Sequence, residues 1–536
     1  MTVLVRGSIT LGLVWLLVAC GREPVAPWSA LSGLLLPSAG EVHRGEVRPE
    51  TYIVRTPAGV VREDLVLAGG TVRWLGSGSD GEALWQMKFG AEQPAREILP
   101  ELHDAGLVLG AEPDRVSRVR AGEDSWEELA LAYGALTAGT GLGSTSPAFW
   151  LDQIALTEAL QDLGQRGLPL NEGPVIAVLD SGVDTEHPGL RGRMWNNPGI
   201  DAGCGSGSGC NVTVARKDDL GDERVWPIGT GGPDRYCRAT GLRQNCEHGT
   251  RVAGIIAGQA GGGWGGVCPS CRILPVRIVS AEDGTILDSS IVAALNYLLN
   301  LKAAGVPVRV VNASFGKFRR SQTVTRLIHR LRREHGGALV VAAAGNENTQ
   351  DAQYPAALDD VLAVANVDSV TGLRHSTSNF GDWVDIAAPG AGPCGGNGAG
   401  ILSAVPGGLE GCARGTSFSA PVVAGVAGLL LTAEPQLSID QLEQRLTTTA
   451  DPSLYNLDGN RAFLGQDGAR AMLGAGIVSA AGALKNGAGE GITRPAADRI
   501  RRGCGVLGGP GTAGPLTVIL YLLPLLAGCL TRRRRT

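Results

Sequence analysis

Five short, predominantly apolar runs punctuate the middle of the chain, at residues 175–179, 273–279, 308–311, 339–343 and 361–364. Too short for buried helices and apolar on both faces, they predict strands buried in a parallel sheet. Between two of them Val324, Leu327, Ile328 and Leu331 recur with the spacing of one helix face, and Gly336-Gly337 stops the pattern. Strand alternating with helix implies right-handed crossovers, hence a doubly wound, mostly parallel α/β sheet with helices on both faces over residues 148–485. Upstream, residues 41–123 mix the two periods. Tyr52-Ile53-Val54 predicts a strand and residues 95–103 a helix, together a small α+β domain. The Gly/Ser/Thr-rich stretch at 134–147 predicts an exposed linker, drawn as 124–147, that is open to cleavage.

The two ends follow another pattern. Arg6 precedes an apolar run at 11–19 that closes on Leu17-Val18-Ala19-Cys20-Gly21, which fits a signal peptide over residues 1–20. The four residues ending at Cys20 also resemble a bacterial lipobox, which makes Cys20 a candidate lipidation site, with ordinary cleavage near Ala19 as the alternative. Residues 516–530 are nearly all apolar and precede the basic cluster 532–535, so the segment 512–536 predicts a helix with its arginines on the cytoplasmic side, behind a Gly-rich linker at 486–511. Such a helix spans roughly 22 Å of a ~30 Å hydrocarbon core, a short anchor. It resembles bacterial C-terminal sorting tails, and a plain tail anchor is the alternative. Both ends imply export to the periplasm or cell surface, with the membrane as a partner through lipid, helix or both.

Composition narrows the function classes. The chain has 536 residues, 43% hydrophobic and 18% charged, enough apolar surface to fold as several domains. Lys plus Arg 47 against Asp plus Glu 52 leaves a net charge of -5, without the basic excess that phosphate neutralisation needs, which argues against nucleic acid as a partner. Of 11 cysteines, Cys20, Cys504 and Cys529 lie in the end segments. The others, in an exported chain, favour disulfides. Sequence proximity suggests Cys204 with Cys210, Cys237 with Cys246, Cys268 with Cys271 and Cys394 with Cys412, one choice among many. Cys268-Pro269-Ser270-Cys271 lacks the second such pair that a zinc site would need, and no metal-ligand set is assigned.

In doubly wound sheets, sites form beyond the carboxyl ends of the strands. Asp180 ends the run at 175–179, where a half-buried carboxylate needs a hydrogen-bonded partner to stay charged. His248 opens His248-Gly249-Thr250-Arg251-Val252-Ala253-Gly254, whose small residues let a helix pack closely, and an imidazole can be that partner. Ser417 lies in Gly415-Thr416-Ser417-Phe418-Ser419-Ala420-Pro421, ahead of an apolar helix at 422–431. Its N–H is then at a helix N-terminus, where developing negative charge is stabilised, and Pro421 is expected in the first turn. Each motif alone is weak, because most histidines and Thr-Ser turns are structural. In the order Asp180, His248, Ser417, however, residues 149–484 resemble the subtilisin-like serine proteases.

That resemblance implies a serine endopeptidase. His248 would take the proton of Ser417, Asp180 would orient the imidazole and stabilise its charged form, and Ser417 would form an acyl-enzyme. The segment Ala342-Ala343-Ala344-Gly345-Asn346-Glu347 matches the one whose asparagine donates to the oxyanion, which makes Asn346 the candidate donor. Ser314-Phe315-Gly316 matches the edge to which an extended peptide adds, Ala343, Ala344 and Gly345 the facing wall, and Gln353-Tyr354-Pro355-Ala356 the region of the pocket floor. Polypeptides are the implied substrates, and no cofactor is required. Residues 41–123 resemble the family's inhibitory propeptide, so the protein would be a zymogen with its own propeptide as a partner.

The chain also departs from the pattern. Arg251 stands where a second histidine is common, and Lys317 replaces a frequent glycine. Gly189 replaces an aspartate that often binds calcium, so structural calcium is left unassigned. Residues 201–246 form a long, Gly-rich insertion that carries Cys204, Cys210, Cys237 and Cys246. Two other classes compete. A catalytically silent binding or surface protein on the same scaffold is disfavoured by the intact Asp180, His248, Ser417 and Asn346. An esterase of the α/β-hydrolase type requires Gly-x-Ser-x-Gly and the serine first.

Overall fold

The structure is a computed structural model and describes residues 34–35, 46–66, 71–78, 81–90, 94–118, 149–168, 173–200, 209–212, 243–259, 265–280, 284–394, 400–464 and 471–485. The expected signal peptide with Cys20, the linkers 124–147 and 486–511, the segment 512–536 and most of the insertion lie outside the described residues.

The first lobe runs β1 (Val47–Thr56), α1 (Arg62–Val66), β2 (Thr71–Ser77), β3 (Ala83–Lys88), α2 (Ala95–Asp104) and β4 (Gly110–Arg118). Its strands pair antiparallel in the order 2-3-1-4. Alternation along β1 divides its side chains between the two faces of this sheet. Tyr52 and Val54 pack with Leu65, Met87 and Leu99 in a core closed by α1 and α2, and Ile53 belongs to a different buried cluster with Leu75 and Leu84.

The second part continues through α3 (Phe149–Gln153), α4 (Leu156–Gln165), β5 (Val175–Asp180), β6 (Cys210–Asn211), α5 (Arg243–Ala257), β7 (Arg272–Arg277), β8 (Thr285–Leu287) and α6 (Asp288–Ala303). There follow β9 (Val308–Ala313), α7 (Gln322–Arg333), β10 (Leu339–Ala343), β11 (Val361–Asp368), β12 (Ile386–Ala391), the hairpin β13 (Ile401–Val405) and β14 (Leu409–Ala413), α8 (Thr416–Ala433), α9 (Ile439–Thr448) and α10 (Ala480–Lys485). Seven strands form a parallel sheet in the order 12-11-10-9-5-7-6. Chain order therefore changes direction around β5, and the carboxyl ends there flank a crevice. Val175, Ala177 and Leu179 of β5 pack on the side of Leu295 in α6 and Leu327 in α7, while Ile176 and Val178 pack on the side of Ile256 in α5 and Val423 in α8. Both faces are covered, as strands apolar on both sides require.

Strand ends differ from the sequence reading where polar residues intervene. β9 and β11 run past their apolar runs through the buried Asn312 and Asn366. β7 stops at Arg277 instead of 279: the N–H of Ile278 makes the last rung to β5, at 2.9 Å from the Asp180 carbonyl, and Val279 bridges instead to Ile286. Disulfides join Cys268 to Cys271 and Cys394 to Cys412, and Cys210 is also disulfide-bonded.

The first lobe docks on α6 and α7. β4 pairs antiparallel with β8, which extends the lobe's sheet to five strands, and Ile53, Leu75 and Leu84 share a buried cluster with Ile291 and Leu295. Two carboxylates on one face of β4 reach helix starts. Glu112 accepts from Ser321 Oγ (3.0 Å), Gln322 N (3.0 Å) and Thr323 N (2.9 Å) at α7. Asp114 accepts from Ser289 N (2.9 Å) and Ser289 Oγ (2.7 Å) at α6. Both satisfy N–H groups that a helix leaves unpaired and sit at its positive end. Beside them Lys317 pairs with Asp288, whose carboxyl burial pushes up to about 6.

Candidate active site

Asp180 and His248 meet at the end of β5. The Asp180 carboxylate lies 2.9 Å by either oxygen from His248 Nδ1, and both side chains are buried. The N–H of Ser181 donates to Asp180 Oδ1 at 2.7 Å and helps fix the carboxylate in place. Helix α5 can approach β5 this closely because residue 249 is glycine; a Cβ there would collide with the Gly182 carbonyl. With Nδ1 facing a carboxylate, the proton belongs on Nδ1 and the lone pair on Nε2. Buried Nε2 meets no hydrogen-bond partner among the described residues.

Ser417 is the second residue of α8, one of the positions whose N–H has no helical acceptor. Phe418, next to it, lies against the imidazole with ring centroids 4.9 Å apart. The Ser417 hydroxyl rests on the Ser314 carbonyl at 3.4 Å. Here the structure corrects the sequence reading. The helix begins at Thr416, so Pro421 is in its second turn and not its first. Without an N–H, Pro421 cannot bond the carbonyl four residues back, which is that of Ser417. Ser314 Oγ takes its place at 2.7 Å, itself held by Asn312 Nδ2 at 2.9 Å.

Asn346 follows β10. Its Oδ1 accepts from Thr416 N (2.9 Å) and Thr416 Oγ1 (3.0 Å), which fixes the side chain with its NH2 as the donating end. Gly415 has φ 121°, and a Cβ there would crowd Asn346 Nδ2 at 3.2 Å. Of the expected substrate segments, Ser314, Phe315, Ala343 and Ala344 are buried, and Gly316 and Gly345 are the partly exposed members. Arg251 pairs with Glu247 and donates to the Cys412 carbonyl at 2.8 Å, tying α5 to β14. Lys317 turns to Asp288. Thr416, Glu347 and Asn379 complete the site without having been assigned roles from the sequence. The first two sit inside motifs already singled out, whereas Asn379 follows Glu347 by 32 residues and carried no signal.

A sequence model of the subtilase family matches residues 171–476. The chain belongs to the subtilase family. This subtilase is 31% identical over 284 residues to the thermophilic serine proteinase of Bacillus sp. (strain AK1), covering 52% of this chain and 57% of that one. It is 32% identical over 230 residues to the thermostable alkaline protease of Halalkalibacterium halodurans, covering 42% and 59% respectively. It is 34% identical over 278 residues to the halolysin-like extracellular serine protease Nep of Natrialba magadii, covering 52% and 43%. The subtilase thus spans less than two thirds of each of these relatives.

Proposed function

We propose that this subtilase is a serine endopeptidase acting on polypeptides. The observation that carries the reading is the buried Asp180–His248 pair with Nε2 unpartnered beside the start of α8. The chemistry requires Ser417 Oγ to leave the Ser314 carbonyl and bond to Nε2 when substrate arrives. Nε2 takes the hydroxyl proton as Oγ bonds to the scissile carbonyl carbon. The Ser417 N–H and Asn346 Nδ2 donate to the resulting oxyanion. The imidazolium, stabilised by Asp180, returns its proton to the departing amine as the C–N bond breaks, and water then cleaves the acyl ester with His248 again as base.

The docked first lobe supports a zymogen in which residues 41–123 serve as inhibitor. Export is supported by the disulfides and by relatives whose names call them extracellular. Lipid on Cys20 and the 512–536 helix would hold the protein to a membrane.

The test is labelling of the full-length chain with a fluorophosphonate, before and after trace trypsin, read by intact mass. One label per chain, absent in Ser417→Ala, is expected. A folded chain that never labels would instead favour a silent binding scaffold.

A further inference from the structure

Beyond β9 and β10 two glycines face each other across one side chain. A Cβ on Gly316 would lie 2.7 Å, and one on Gly345 2.5 Å, from the same atom, Gln353 Oε1. The Gln353 amide is therefore wedged between the two backbones, and the residue is 3% exposed.

The wedge is tied in place. Gln353 Nε2 donates to Glu347 Oε2, which also accepts from Asn346 N at 2.8 Å and Asn379 Nδ2 at 3.0 Å. Asn379 in turn donates to the Ala344 carbonyl at 3.0 Å. The next residues stitch floor to wall: Lys317 N donates to Tyr354 O at 3.1 Å, and Tyr354 N to Lys317 O at 2.7 Å.

Resting on the endopeptidase reading above, the position of this amide matters. With Ser314–Gly316 and Ala343–Gly345 as the pocket's walls, a substrate carbonyl held by Asn346 would place its own side chain between Gly345 and Gly316. That space already holds the amide. We infer that Gln353 plugs the pocket for the side chain before the scissile bond, so that this subtilase cleaves after glycine, alanine or serine. A phenyl or long aliphatic group has to expel the glutamine and strip hydrogen bonds from a buried amide and a carboxylate, whereas a methyl or hydroxymethyl does not.

The test uses the full-length chain after maturation and peptide p-nitroanilides that differ only in the last residue, alanine or phenylalanine. Rates are counted per fluorophosphonate-labelled serine. The wild type is expected to favour alanine in kcat/KM by roughly tenfold or more, the scale of pocket discrimination. Gln353→Gly and Gln353→Ser are expected to cut that ratio about tenfold by raising the phenylalanine rate. A labelled wild type that takes phenylalanine as readily as alanine overturns the inference, as does a labelled variant with an unmoved ratio. If neither variant labels, the wild-type ratio decides alone. A wild type that never labels overturns the endopeptidase reading and this inference together.

Discussion

Ser417 depends on how its carbonyl is held as much as on its hydroxyl. Pro421 removes the helical donor to that carbonyl, and Ser314 Oγ replaces it at 2.7 Å. Ser314→Ala should therefore leave a buried acceptor unpaired and lower stability by about 1–3 kcal/mol. Adding Pro421→Ala supplies the missing N–H and should recover most of that loss. Urea unfolding of the single and double variants, in a Ser417→Ala background to prevent self-digestion, measures the coupling, and additive losses would refute the exchange. The pairing of Asp180 with His248 and the approach of Asn346 to the start of α8 were legible in the sequence because each residue sits in a short local motif. The clamp on Gln353 was not, since Glu347 and Asn379 are brought together by the sheet from distant points in the chain. Nor did the sequence show that Ser314 would serve the serine's backbone, because that bond spans 103 residues.

At the scale of elements, the buried strands and helix α7 followed from period and composition, and the sheet they build is the parallel one expected. β8 was not legible, being Thr285–Leu287, too short to show a period, and paired with β4 of the lobe and, through one bridge, with Val279. The caps on α6 and α7 escaped for a related reason: Glu112 and Asp114 lie on another element, far from the helices they complete. Each cap is worth about 0.5–2 kcal/mol by ordinary helix-capping energetics. Glu112→Ala and Asp114→Ala should each weaken docking of the lobe. The check is protease sensitivity of the lobe in uncut Ser417→Ala protein, and unchanged sensitivity in the double variant would discard this role.

For the molecule as a whole, the carboxylates buried where the lobe meets α6 make stability depend on pH. Asp288 is buried, faces Lys317, Glu112 and Asp114, and has its carboxyl pushed up to about 6, and Asp114 is raised by burial as well. A carboxyl whose folded value exceeds its unfolded one, about 3.9, binds its proton more tightly in the folded chain. Its contribution is full below about pH 4 and is lost as pH rises through about 6. The stability difference between Ser417→Ala and Ser417→Ala/Asp288→Asn, followed by urea unfolding from pH 4 to 7, should fall in that window; a flat difference would exclude the role. The linear arrangement of the chain carries one more consequence, for its making. A polypeptide leaves the ribosome at roughly 5–20 residues per second, N-terminal parts folding first. Residues 46–118 emerge before Asp180, His248 and Ser417, and α8, with the nucleophile, comes after every strand of the parallel sheet. A chain still being made therefore carries the whole of the lobe that we propose as inhibitor before it carries Ser417, so the catalytic set is completed only in the lobe's presence.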